Sequence, residues 1–353
     1  MHRNKRFALG FFACFLLFLA LAAGTVFVLD PFFHYHAPWT DLPPVSANER
    51  YQVGGIAEHF DYDSLVVGTS VTANFRVSWF DELLGGKTAK LTFPGGTFGE
   101  FCKVLDMAFA THDVKRIYWG LDTNLLTKDS TEDLYVFPDY LYDDDPWNDV
   151  QYLLNKDVLC KQVVSMLYAL TWDPVPTVDD LFAWENRFAW GEENVRRVYG
   201  RPDPVGVMMT ENIFDQEMQA NLDVLIPYVE AHPDTEFYFF IPPYSILFWD
   251  QTIQNGTTEA ILYVQQQVME ALGQYDNVRL YYFMNEAEVV CDLENYTDPI
   301  HYSPEVNRHM VEVMAGFDGL AEDTIPQAID AMRQLAYSYP YDAFFDTQKE
   351  EGQ

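Results

Sequence analysis

Basic residues and cysteines are both scarce in this chain. Only 21 lysines and arginines stand against 54 aspartates and glutamates, giving a formal charge of −33 over 353 residues. Such a surface repels phosphate backbones and anionic headgroups, so it argues against nucleic acid and anionic lipid as partners, and solubility is its ordinary consequence. The four cysteines include no Cys-x-x-Cys and no Cys/His spacing suited to zinc. Three of them, Cys102, Cys160 and Cys291, follow the only long apolar run. An odd number argues against a disulfide framework and leaves room for one bond with a spare thiol. His34, His36, His59, His112, His232 and His309 show no ligand spacing, so neither a metal nor a cofactor is assigned. Internal repeats and low-complexity tracts are lacking as well.

The apolar run that is present, Phe7 to Leu29, carries no charge. At 1.5 Å per helical residue it is long enough to cross a hydrocarbon layer of about 30 Å. His2, Arg3, Lys5 and Arg6 precede it and Asp30 follows. Positive charge ahead of the span orients the N-terminus to the cytoplasm and the rest of the chain outside, as a single-pass cell-membrane protein. Ala20-Leu21-Ala22-Ala23-Gly24 offers a site for cleavage of a secretory signal. An uncleaved anchor is preferred, because Thr25 to Leu29 continues the apolar run past that site. Cys14 lies too early in the run for lipoprotein processing.

Pro31, Pro38, Pro43 and Pro44 make residues 30–60 read as an irregular, membrane-proximal connector. Five short apolar or β-branched runs follow: Ser64 to Gly68, Ala89 to Phe93, Arg116 to Gly120, Glu236 to Ile241 and Val278 to Phe283. Helical patterns alternate with them, over Ala73 to Leu84, Gly99 to Thr111, Phe214 to Ala231 and Thr257 to Leu272. Alternation of this kind predicts an α/β fold: a three-layer α/β/α sandwich with a central parallel sheet of about five strands, plus the N-terminal transmembrane helix. Residues 61–322 form that domain, with an insertion at 125–212 read as a lid or accessory subdomain. The insertion holds Asp143-Asp144-Asp145-Pro146-Trp147, whose glycine-free spacing is unlike a calcium-binding EF-hand, and a helical pattern from Val158 to Leu170. Residues 323–353 read as a C-terminal helix and charged tail.

Chemistry is offered at the ends of this domain. Ser64-Leu65-Val66-Val67-Gly68-Thr69-Ser70 is a buried strand ending in a turn that presents a hydroxyl, and Asp298-Pro299-Ile300-His301 supplies a carboxylate and an imidazole. Serine becomes a nucleophile only when a base takes its proton, and the base needs a third group to hold its tautomer. Ser70, His301 and Asp298 are the expected catalytic set. Ser303 and Pro304 signal a helix start just after His301. Tyr244, in the Pro242-Pro243-Tyr244 stretch after the fourth strand, is a candidate to stack on a sugar.

Gly68-Thr69-Ser70, Gly96 within Phe93-Pro94-Gly95-Gly96-Thr97, and Asp298-Pro299-Ile300-His301 resemble, in order and spacing, three sequence blocks of the SGNH (GDSL-like) hydrolases. With Gly-Thr-Ser and an N-terminal anchor, the chain is most similar to the membrane-anchored branch that includes the teichoic acid D-alanyl transfer protein and polysaccharide O-acylation proteins. The resemblance implies ester chemistry, with the backbone N–H groups of Ser70 and Gly96 receiving the oxyanion. It implies an envelope glycopolymer or other acyl ester as substrate, and a membrane-embedded acyltransferase as partner. One block departs from the family. Where an Asn amide usually donates to the oxyanion, this chain has Gly120-Leu121-Asp122-Thr123-Asn124, and an ionised Asp122 only accepts. Either Asn124 reaches in, or Asp122 binds substrate, or activity is reduced, or Asp122 simply caps a turn.

Overall fold

The computed structural model of the chain describes residues 2–39, 42–131, 135–143 and 145–345. Its contacts divide it into two units, one of Met1–Asp61, Val104–His112 and Tyr135–Phe182, the other of Tyr62–Lys103, Asp113–Leu134 and Ala183–Gln353.

The second unit holds the sheet. β1 (Ser64–Gly68), β2 (Thr88–Thr92), β3 (Arg116–Gly120), β4 (Glu236–Ile241) and β5 (Val278–Tyr282) lie in the order β2-β1-β3-β4-β5, and every pair is parallel. The α/β architecture expected from the alternating runs is the one adopted. All of β1 is buried, as is β4 from Phe237 onward. Strands covered on both faces can be uniformly apolar, which is why these segments read as unbroken runs. Among the helices, Val77–Leu83 packs with Pro304–Gly316, while Thr258–Leu272 packs with Asp215–Ala231 and Ile325–Ser338.

Two elements of this unit differ from expectation. Instead of one helix over Ala73 to Leu84, a short 3-10 turn at Ser70–Thr72 is followed by the helix Val77–Leu83. Buried Lys90 of β2 explains the break, because its Nζ donates to the carbonyls of Ala73 and Phe75, each at 2.8 Å. Those carbonyls are therefore withdrawn from helical bonding. An additional helix, Ile246–Asn255, follows β4 and stops at Gly256, whose φ of +69° is left-handed. A Cβ there would lie 2.1 Å from the Val207 carbonyl oxygen, so only glycine fits.

In the first unit, α1 (His2–Leu29) is long and apolar enough over Asn4–Leu29 to cross a membrane, and almost all of that stretch is exposed. Its last carbonyls lack helical partners. Side chains supply them: Trp39 Nε1 donates to Val28 O at 2.6 Å, and the His36 ring lies 3.0 Å from Phe27 O. Buried Asp30 accepts from the N–H groups of Tyr35 at 2.7 Å and His36 at 3.0 Å and from the Tyr152 hydroxyl at 2.7 Å. Burial holds its carboxyl above the usual range in spite of those bonds. Val26 packs into a cluster with Phe32, Leu141, Tyr152 and Val158.

The stretch read as an irregular connector contains the helix Glu49–His59, capped by Asn48 and burying Val53, Ile56 and Ala57. Its apolar residues keep helical spacing, but the prolines ahead of it and its own paired glycines mask the pattern. Of the acidic loop, Asp143 and Asp145 close local turns by accepting from the N–H groups of Asp145 and Trp147. Asp144 and the tail beyond 345 lie outside the described residues. All four cysteines are free thiols.

Candidate active site

The order β2-β1-β3 reverses direction between β1 and β3, and in open parallel sheets the crevice at the carboxyl ends beside such a reversal is where ligands bind. Two glycines allow the strand ends to close there. A Cβ on Gly68, whose φ is +150°, would come within 2.7 Å of Thr72 Cγ2, and one on Gly120 within 2.6 Å of the same atom. Thr72 is thus wedged between the ends of β1 and β3, and its hydroxyl donates back to Thr69 O at 2.8 Å. This packing fixes the turn that presents Ser70.

Ser70 Oγ lies 2.9 Å from His301 Nε2, across 231 positions of sequence. On the other side of the ring, His301 Nδ1 lies 2.7 Å from Asp298 Oδ2. The second oxygen, Oδ1, accepts from the N–H groups of Ile300 and His301, each at 2.9 Å. Burial alone would raise the Asp298 carboxyl. The His301 hydrogen bond and charge, with the two backbone donors, outweigh burial and hold it below its usual value. Ser70 and His301 are half-buried, so the group remains reachable. A hydroxyl, an imidazole and an ionised carboxylate in this order can pass a proton from serine to histidine while the carboxylate steadies the ring.

Gly96 has no room for a side chain, since a Cβ would meet Phe101 Cζ at 2.5 Å and Phe93 Cε2 at 2.6 Å. Its N–H donates to Phe93 O over a long 3.3 Å. Asp122 is the N-cap of the short helix Thr123–Leu126 and is buried. Oδ1 accepts from Asn124 N at 2.9 Å and from the Tyr244 hydroxyl, and Oδ2 accepts from Thr69 Oγ1 at 2.7 Å. Both oxygens are thus engaged within the protein, and Oδ1 caps the turn, which is one of the four alternatives for this residue.

Tyr244 is a correction. Its ring is wholly buried, meets Phe248 edge-on at 4.8 Å, and presents no face to a sugar. Burial and the neighbouring Asp122 push its hydroxyl well above the usual tyrosine range. Asn124 is half-buried and, with Phe248, Gln251 and Asp298, lines a cavity of about 450 Å³. Among the described residues no group of three His, Cys, Asp or Glu side chains is placed to hold a metal ion.

Trp184 was not among the expected site residues. Its indole N–H donates to Ser70 O at 2.8 Å, and its ring stands edge-on to His301 at 5.2 Å. Trp190 stacks on it at 5.7 Å, and Phe188, 58 % exposed, meets it at 5.4 Å. The segment is tied down by Trp184 N donating to Asn74 Oδ1 at 2.9 Å and by the Arg76–Glu185 ion pair. Asn194 Nδ2 binds Thr297 O at 2.8 Å, which couples the segment to the loop carrying Asp298. Its aromatic density was the one available signal, and nothing in sequence says which of eight tryptophans would face a site more than a hundred residues away.

No family model matches the chain, and no curated protein matches it. Among solved structures, it is similar to one from Streptococcus pneumonia, described provisionally as a platelet activating factor, at 14 % identity and a TM-score of 0.39 over 76 % of this chain and 88 % of that one. The case for chemistry therefore rests on the geometry of the site.

Proposed function

We propose that the chain is a membrane-anchored serine esterase or O-acyltransferase whose catalytic unit lies outside the cytoplasmic membrane and acts on acyl esters of an envelope glycopolymer. The observation that carries this reading is the continuous relay from Ser70 Oγ through His301 to Asp298. Ser70 attacks the acyl carbonyl as its proton moves to His301 Nε2. Asp298 keeps the Nδ1 proton in place and balances the imidazolium. His301 then protonates the departing alkoxide, leaving acyl-Ser70, and water or a sugar hydroxyl takes the acyl group by the reverse sequence.

The Ser70 N–H is a ready oxyanion donor, because it stands at the start of the 3-10 turn, before that turn's own hydrogen bonds. Gly96 N–H joins it by exchanging its long bond to Phe93 O for the developing charge. A donor of this kind is worth roughly 3 kcal/mol of barrier. The aromatic wall of Trp184, Phe188 and Trp190 supports a glycan substrate, since the C–H faces of pyranose rings pack on such surfaces. The net charge of −33 favours neutral glycans or a cationic acyl donor such as an alanyl ester over an anionic polymer. A membrane-embedded acyltransferase that supplies acyl groups is the partner this chemistry calls for.

A second reading, a binding module of an envelope-modifying assembly that keeps the fold without turnover, is favoured by the engagement of Gly96 N–H and by the absence of an amide donor at Asp122. A fluorophosphonate probe separates the two. Labelling that vanishes in Ser70→Ala is the outcome expected of the enzyme, and a folded wild-type protein that takes up no label is the binder.

A further inference from the structure

The helix Val158–Ala169 in the first unit is apolar on more of its circumference than a solvated surface helix tolerates. Val158, Val163, Met166 and Ala169 face inward and are buried. Val164, Leu167 and Tyr168, spaced for one outer face, are nonetheless 54 %, 51 % and 65 % exposed, and Trp172 follows just past the helix. A water-facing stripe of this kind normally carries charge. Here Lys161 is held 3.0 Å from Asp157 at the N-terminal end.

The helix is far short of the roughly 20 residues needed to span a bilayer and falls in the length range of interfacial segments. It is also continuous with the membrane-crossing candidate. Val158 shares a cluster with Val26 near the C-terminal end of α1, where Phe27, Val28 and Trp39 are exposed. Tryptophan and tyrosine favour the level of the headgroups, where one end of the ring is wet and the other apolar.

We infer that Val158–Ala169 lies flat in the bilayer interface beside the C-terminal end of α1, with Val164, Leu167, Tyr168 and Trp172 in the boundary between headgroups and acyl chains of a neutral membrane. It is a second membrane contact that holds this unit against the surface instead of leaving it on a single swinging tether. The acidic balance of the chain, with Asp157 and Asp173 flanking the helix, sets the choice of neutral over anionic lipid. This placement requires that α1 span the bilayer and is independent of chemistry at Ser70.

The test uses the full chain in phosphatidylcholine vesicles with nitroxide spin labels. Cys160 is an exposed native thiol on the helix, while Cys102 is buried and burial pushes the Cys291 thiol up to about 11, so Cys14→Ser directs the label to Cys160. Leu167→Cys as a second position and exposed Asp203→Cys as the water reference are each labelled in a Cys14→Ser/Cys160→Ser background. Relaxation by oxygen relative to a nickel chelate is expected to be about tenfold higher at 160 and 167 than at 203, as for a segment about 5–10 Å into the interface. A ratio equal to that at 203 overturns the proposal, and so does poor access of both reagents, which would mean that protein covers the stripe. A label on Cys14 in Cys160→Ser separates the causes: deep at 14 with water at 160 and 167 refutes the interfacial helix alone, whereas water at 14 refutes the anchor and the proposal together. Because Cys160 is native, misfolding of Leu167→Cys does not remove the test.

Discussion

Asp122 and Asp298 follow different strands of one unit and share a local motif, yet their surroundings differ in kind. Each accepts the N–H group two residues ahead, from Asn124 and Ile300, at 2.9 Å. At Asp122 the other partners are the Thr69 and Tyr244 hydroxyls, and the residue is 7 % exposed. At Asp298 the free oxygen meets an imidazole, and the side chain is 33 % exposed. A carboxylate between neutral hydroxyls in the interior is a strut, whereas one beside a titratable ring at the surface can support proton transfer. The partner and the access to solvent decide the role, because the local turn is common to both.

The sharpest way to break this contrast is to remove the base. His301→Ala is expected to lower ester turnover by about four orders of magnitude or more while far-UV dichroism and the urea midpoint stay put; retained turnover would leave Asp298 with nothing to orient. Asp298→Asn should cost about three to four orders in kcat, through the wrong tautomer, with only a small loss of unfolding free energy at neutral pH. Asp122→Ala should do the reverse. Leaving the Thr69 and Tyr244 hydroxyls buried without an acceptor is expected to lower unfolding free energy by about 2–4 kcal/mol in urea titration, while turnover per folded molecule falls less than tenfold.

Trp184→Phe keeps a ring against His301 but deletes the donor to Ser70 O, and about 1 kcal/mol lost there predicts a roughly fivefold fall in kcat/KM. The smallest effect concerns acid. The folded Asp298 carboxyl titrates below its ordinary 3.8, so its contribution to stability is full above that value and is lost as pH falls through the folded pKa. The unfolding free energies of wild type and Asp298→Asn should therefore converge below about pH 4, with 3.8 as the unfolded reference. A gap that widens in acid would show that the carboxyl is raised instead.

Much of this was legible in sequence because buried parallel strands are continuous apolar runs, and β1, β3 and β4 fall on the residues that such runs mark. Ser70, Asp298 and His301 were legible because each sits next to an element boundary with its own signal. What was hidden depends on contacts across the chain. Lys90 breaks a helix that residues 73–84 would favour by themselves. Tyr244 looks like a loop aromatic until Asp122 draws its hydroxyl inward. Thr69 and Asp122 lie 53 positions apart with no local pattern linking them, yet they are donor and acceptor of one 2.7 Å hydrogen bond. Trp184 reaches Ser70 from the insertion by a route no local pattern encodes.

The central claim is that Ser70 carries the acyl group, and rapid-quench turnover of p-nitrophenyl acetate followed by peptide mass spectrometry tests it most directly. The account predicts a nitrophenol burst of about one equivalent per protein and an acetyl mass increment confined to the peptide containing Ser70, both absent in Ser70→Ala. Turnover that persists in Ser70→Ala, or a folded wild-type protein that never acquires the acetyl group, would contradict it.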